Sequence, residues 1–303
     1  MISIDPVTMA DKLRPMRALR LLPVVAALVA ACGDSGGKQE SRAAGNSADT
    51  STARASTVPW FAGALPLLLV PAHSNDRALV IQADTLMPAP DEGRLDPDGK
   101  LFLLDGTALP VRVTVGSVAE ACIDAALDPA PARGWGVGFV GGAARPIAVD
   151  SLAGIPRIDS VTLTRTVFRL ASAVPNAPGG RFSGLPFTLV SLWRFAVAPG
   201  RTALVGVTRR QINQEDSPLE ERTIVVAEAD SGAEYSVAYS ARSTGAEETV
   251  EGSELLAVLE WPASGEIDAV VSHDFGGQSA FSLLARDRAG AWKLRWTSRR
   301  LSC

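Results

Sequence analysis

A chain of 303 residues that is 47% hydrophobic and 20% charged has the composition of a folded body with a sizeable core, not that of a disordered segment. The net charge is −4, and no basic stripe interleaved with aromatics runs along the sequence, so the electrostatic footprint of nucleic-acid binding is missing and nucleic acid is excluded as an expected partner. Two histidines and three cysteines leave little material for metal ligation, and neither a metal nor a cofactor is expected.

The N-terminus reads as an export signal. Lys12 to Arg20 is positively charged, and Leu21 to Ala31 (LLPVVAALVAA) is uncharged and apolar. Eleven residues span roughly 16 Å as helix, too short for a hydrocarbon core of about 30 Å. A short apolar run behind positive charge and before small residues is the pattern of a secretory signal, and Met9 or Met16 as the start would give it a more ordinary length. Without the part before Cys32 the chain has 25 basic and 31 acidic residues.

Val29-Ala30-Ala31-Cys32, at the end of that apolar run, resembles the lipobox of bacterial lipoproteins. The resemblance covers the first thirty-odd residues and no more. It implies that residues 1–31 are a lipoprotein signal peptide, that Cys32 Sγ receives a diacylglyceryl group, and that cleavage and acylation follow at the Cys32 amine. Each buried CH₂ adds about 0.8 kcal/mol, so several acyl chains attach the protein to a membrane in effect permanently. Gly33, not an aspartate, follows the cysteine. In Gram-negative lipoproteins that implies sorting to the outer membrane, facing the periplasm or the cell surface.

Residues 32–57 read as a flexible tether, rich in Gly, Ser, Ala and Thr with no aromatic residue or apolar period. As a coil, about 25 residues have an end-to-end distance of roughly 25–30 Å. Two catalytic-looking strings fall here. Gly33-Asp-Ser35-Gly-Gly37 imitates the nucleophile segment of chymotrypsin-like proteases, and Ser35-Gly-Gly-Lys38 imitates S-x-x-K. No histidine precedes Ser35, and a serine on a tether cannot be held against a base and an oxyanion hole. Both are read as coincidental, and no catalytic residue is assigned.

Residues 58–303 read as a folded body, either undivided or in two subdomains at 58–185 and 186–303. Val58 to Ala72 is strongly apolar but broken by Pro59, Pro66 and Pro71, and reads as buried entry structure. Val111, Val113 and Val115 alternate with Arg112 and Thr114, a half-buried strand. Ser117 to Leu127 fits either a short helix or a strand. A helix is expected near 160–174, capped by Asp159 or Ser160 and ended by Pro175, with Val161, Leu163, Val167, Phe168, Ala171 and Val174 as its apolar side. From Phe187 onward, strands follow one another with short connections, which implies antiparallel neighbours. The last pair is read as a hairpin: Phe281, Leu283 and Ala285 on one face, a turn at Asp287 to Gly290, and Trp292, Leu294 and Trp296 returning on one face. The expected class is α+β, predominantly antiparallel β with one clear helix.

The remaining motifs weigh towards structure. Gly136-x-Gly138-x-x-Gly141 lacks the following helix that dinucleotide binding requires, and reads as a glycine-rich strand. Asp96-Pro-Asp98-Gly99 reads as a turn, because an EF-hand would need Glu where Thr107 stands. His273-Asp274 reads as a polar pair at a strand end. Adjacent carboxylates (Asp91-Glu92, Glu220-Glu221, Glu247-Glu248) point to opposite sides of a strand or sit in loops. Trp135, Trp193, Trp261 and Trp292 could stack on sugars or peptides, but read as core.

An oxidising compartment and two cysteines beyond the lipid site make a Cys122–Cys303 disulfide the expected pairing, two unpaired thiols being the alternative. Such a bridge would contribute about 5 kcal/mol on loop entropy. The functional expectation is a lipid-anchored cell-envelope protein that binds or scaffolds without catalysis, with the membrane as one partner and a protein or glycan ligand undefined. The alternative is an exported hydrolase acting on glycan or peptide.

Overall fold

The computed structural model describes residues 64–72, 74, 76–82, 98–119, 122–132, 134–175, 180–213 and 218–302. The first six strands are β1 (Ala64–Pro71), β2 (Arg77–Gln82), β3 (Asp98–Phe102), β4 (Ala108–Ala119), β5 (Cys122–Asp128) and β6 (Val137–Gly141). They close into a barrel in the order β1-β2-β5-β4-β3-β6. Closure leaves the barrel no free edge. The interior is filled by Leu67, Leu69, Leu101, Val111, Val113 and Val115 among others. Arg112 and Thr114 are exposed, so the alternation read in the sequence is the barrel's in–out pleat. Ser117–Ala119 ends β4 and Cys122–Leu127 lies in β5, which settles the helix-or-strand choice for these residues.

The rest of the chain builds two five-stranded antiparallel sheets. One contains β8 (Val149–Ser151), β9 (Thr188–Ala198), β10 (Arg201–Ile212), β11 (Leu219–Asp230) and β12 (Ser236–Ala246), in the order β12-β11-β10-β9-β8. The other contains β7 (Arg145–Pro146), β13 (Gly252–Trp261), β14 (Glu266–Asp274), β15 (Ser279–Arg286) and β16 (Trp292–Thr297), in the order β16-β15-β14-β13-β7. The β13 sheet is the middle layer. One of its faces buries Leu255, Ile267, Ala269 and Leu284 against Trp193, Phe195 and Val205 of the β9–β11 sheet. Its other face buries Leu259, Val270 and Leu283 against Leu68, Phe102 and Phe139 of the barrel. Leu67 to Val70 is continuously buried for the same reason: Leu67 and Leu69 point into the barrel, Leu68 and Val70 towards the middle sheet.

The expected α+β class is corrected. Sixteen strands and one helix, α1 (Arg157–Ala173), make up the described elements, so the fold is essentially all-β. The helix lies where the sequence placed it but covers only the outer face of the β9–β11 sheet, with Leu163, Val167, Leu170 and Ala171 buried. It contributes to no layer of its own. Its seat requires Gly206, because a Cβ there would stand 2.6 Å from Val167 Cγ1. Helix α1 starts at Arg157 with Pro156 at the cap, not at Asp159 or Ser160, and Val161 of the expected apolar side is 46% exposed.

The C-terminal hairpin forms with the expected turn, where Gly290 adopts φ 89°. The single-face reading of its second strand is corrected. A bulge between Leu283 and Leu284 shifts the β16 register. Trp292 therefore enters the inter-sheet core, Trp296 packs on the barrel side, and Leu294 is 50% exposed.

Candidate functional site

The Gly136–Gly141 motif is β6 and its approach, a glycine-rich strand as expected, and its glycines serve packing. A Cβ at Gly136 would lie 2.2 Å from the carbonyl oxygen of Leu256, and one at Gly138 would lie 2.6 Å from Leu101 Cδ2. The chain entering the barrel thus runs directly against β13. That close crossing leaves a groove of about 590 Å³ beside it, between barrel and middle sheet. Apolar walls come from Leu79 and Ile81 of β2, Leu255 and Leu256 of β13, and Phe281 of β15, and Trp135 lines it from the segment before β6. The polar side chains on the lining are Ser272, Ser279 and the exposed carboxylate Glu254. A concave apolar surface of this size with a few polar groups is the usual form of a small-molecule site.

A second constellation sits at the end of the middle sheet, where β14 finishes and β15 begins. His273 Nδ1 lies 2.7 Å from Glu251 Oε1, and its Nε2 lies 2.9 Å from Ser282 Oγ. Ser282 Oγ is also 2.9 Å from Thr297 Oγ1, and Ser253 Oγ is 3.3 Å from Nδ1. The Glu251 contact favours the tautomer protonated on Nδ1, in which Ser282 donates to Nε2. The His273 hydrogen bond holds the Glu251 carboxyl below its ordinary range, opposed by desolvation and aided by Arg300. The order Ser–His–Glu is that of a hydrolase's general-base relay. The setting is not: Ser282 is 2% exposed in the middle of a strand, with its hydroxyl shared with Thr297. A nucleophile must reach its substrate carbonyl beside oxyanion donors, and a sealed serine does not. The row ties β13, β14, β15 and β16 together.

Glu247 and Glu248 lie in the turn after β12, Asp91 and Glu92 lie outside the described residues, and the strand pair separates as the sequence implied. Glu220 and Glu221 are both buried and serve different arginines. Arg209 and Arg222 donate to Glu220 at 3.3 and 2.8 Å. Arg210 donates to Glu221 at 2.8 and 2.5 Å, and Arg242 at 3.4 Å. Arg242 also donates to the carbonyls of Ala171 and Val174, satisfying the C-terminus of α1. These carboxylates are neutralised within the fold.

Trp135, Trp193, Trp261 and Trp292 are each at most 6% exposed and are core, as read. His273-Asp274 is indeed at the end of β14. Asp98 and Gly99 open β3, the rest of the expected turn lying outside the described residues. Cys32, His73, Ser35 and Cys303 also lie outside them. Cys122 begins β5, but its side chain is not described, so the expected pairing with Cys303 has no counterpart among the described contacts. Sequence reading missed the groove and the Glu251–His273–Ser282 row. Both are assembled from strands far apart in the chain, and no local spacing encodes them. Comparison with family models, with curated proteins and with solved structures gives no match for this chain.

Proposed function

We propose that this chain is a lipid-anchored cell-envelope protein, held in the outer membrane through Cys32, whose body binds a small amphipathic cation in the groove beside β13. The anchor rests on Val29-Ala30-Ala31-Cys32 at the end of an apolar run. The binding role rests on the groove itself. Its walls are apolar, its volume of about 590 Å³ suits a small molecule, and Glu254 is the one charged side chain on its lining among the described residues. A ligand with an apolar body and one basic group matches that lining. Catalysis is not part of the proposal: Ser282 is sealed and Glu220, Glu221 and Glu228 are occupied by arginines. A hydrolase acting on glycan or peptide would need the Ser282 row opened to solvent.

Titration calorimetry with decyltrimethylammonium tests the groove. The expected result is saturable one-to-one binding, weakened roughly 3–10-fold by Glu254→Lys, with decanoate binding more weakly than the ammonium. Absence of saturable binding, or equal affinity of both probes for wild type and Glu254→Lys, would show that the groove is not a cation site.

A further inference from the structure

Helix α1 turns an unusual surface outwards. By its 3.6-residue period, Ile158, Val161, Arg165 and Arg169 lie on the side opposite the buried Leu163, Val167 and Leu170, with Arg157 on one flank. Ile158 is 80% exposed and Val161 46%, and Leu152 just before the helix is 37% exposed. No acidic residue lies on this outward ridge; Asp159 is on the flank, and Glu234 reaches Arg169 from the neighbouring turn at 3.6 Å. Arg157 and Arg165 have no ion-pair partner among the described residues.

The hydroxyls of the helix are withdrawn from the surface as well. Thr162 Oγ1 donates to the carbonyl of Ile158 at 3.1 Å, Thr166 to Thr162 at 3.0 Å, and Ser172 to Phe168 at 2.7 Å. Hydroxyls bonded to their own preceding turn have their one donor occupied, and exposed Thr162 turns its methyl and acceptor lone pairs to the surface. Exposed aliphatics beside arginines are the pattern of helices that lie in a membrane interface, apolar groups towards the acyl boundary and guanidiniums at the headgroups.

From this surface we infer that the outward face of α1 docks on an anionic bilayer. The inference rests on the anchor reading for its setting: the first strand after the tether belongs to the barrel, and a tether of about 25 residues, up to roughly 85 Å when extended, is long enough to pass both sheets and let α1 reach the bilayer. The charge is complementary to an anionic surface: the ridge presents Arg165, without an ion-pair partner among the described residues, and Arg169, with Glu234 at 3.6 Å. The barrel, on the far side of both sheets, is turned away from the bilayer in that pose.

The test uses the full acylated chain in phosphatidylcholine vesicles with and without phosphatidylglycerol. Photoreactive benzoylphenylalanine replaces Ile158 in one sample and the exposed barrel residue Thr114 in another, and lipid adducts are measured after irradiation. Adducts are expected at position 158 and not at 114, in the anionic vesicles. At about 1 kcal/mol per arginine, Arg165→Glu is expected to lower the yield at 158 roughly 5-fold or more. Equal yields at the two positions, equal yields in neutral vesicles, or a crosslinked dimer in place of lipid adducts would overturn the inference. Acylation of Cys32 is measured separately by mass on the same sample. An acylated chain without adducts at 158 leaves the anchor standing and removes the docking face. Adducts at 158 on a chain never acylated in its host do the reverse.

Discussion

Replacing Arg286 with methionine is expected to cost ~3–5 kcal/mol of folding stability, among the largest losses available to any single surface-distant charge in this protein. Arg286 of β15 meets Glu228 of β11 through Nε at 2.5 Å and Nη2 at 3.0 Å, and Trp292 Nε1 donates to the same carboxylate. Both charges are buried, at 8% and 9% exposure. They join the two sheets at the end of β15 remote from His273. Removing the guanidinium leaves a carboxylate in the interior with one indole donor, and with Arg201 no nearer than 3.8 Å. The uncompensated charge, more than the lost attraction, sets the cost. Urea denaturation checks it. The double variant Glu228→Gln/Arg286→Met is expected to recover a large part of the loss, because no unpaired charge remains. A loss as large in the double variant as in the single would show that packing, not charge, dominates.

Asp268→Asn is expected to act in the opposite direction, stabilising the protein at pH 8 by roughly 2–4 kcal/mol and changing it little at pH 4. Asp268 is 1% exposed on the barrel side of β14. Desolvation by burial pushes its carboxyl up to about 7, against the opposing pull of Arg295 and of the Trp261 indole, while Glu266 adds to the rise. Trp261 Nε1 donates to Oδ2 at 3.1 Å and Arg295 approaches at 3.5 Å, while Oδ1 has no partner. Between about pH 4 and pH 7 the folded protein therefore holds a proton that the unfolded chain has released. Stability falls as pH rises through that window and levels off above it. Asparagine keeps an acceptor for Trp261 and carries no charge, so the decline is expected to disappear. A pH series of thermal or urea melts on wild type and variant reads this directly; parallel curves would contradict it.

The sequence shows most of the secondary structure and little of its assembly. Alternation at Val111–Val115 and the helix over α1 are local signals, and they survive folding because period and burial agree. The class was misjudged because one strong helix suggested a helical layer. A single 17-residue helix can cover only part of one sheet. Division into a barrel and two sheets depends on which strands pair across long separations, and no local pattern states that. The fate of Trp292 and Trp296 turns on one bulge at Leu283–Leu284, which strict alternation does not foresee. His273 meets Ser282 across β14 and β15 because Ala280 pairs with His273 and Val271 with Ser282, a diagonal fixed by register alone. The groove has the same origin, since β2, β13 and β15 contribute to it from separate parts of the chain. The anchor and tether expectations rest on local sequence alone, since a processing motif acts on extended chain and needs no fold.

The anchor is tested most directly by growing the host with radiolabelled palmitate and immunoprecipitating the full-length wild type and Cys32→Ser. Label is expected in the wild type and not in Cys32→Ser, together with loss of the variant from the membrane fraction. An unlabelled wild type, with the Cys32→Ser variant equally membrane-bound, would contradict it.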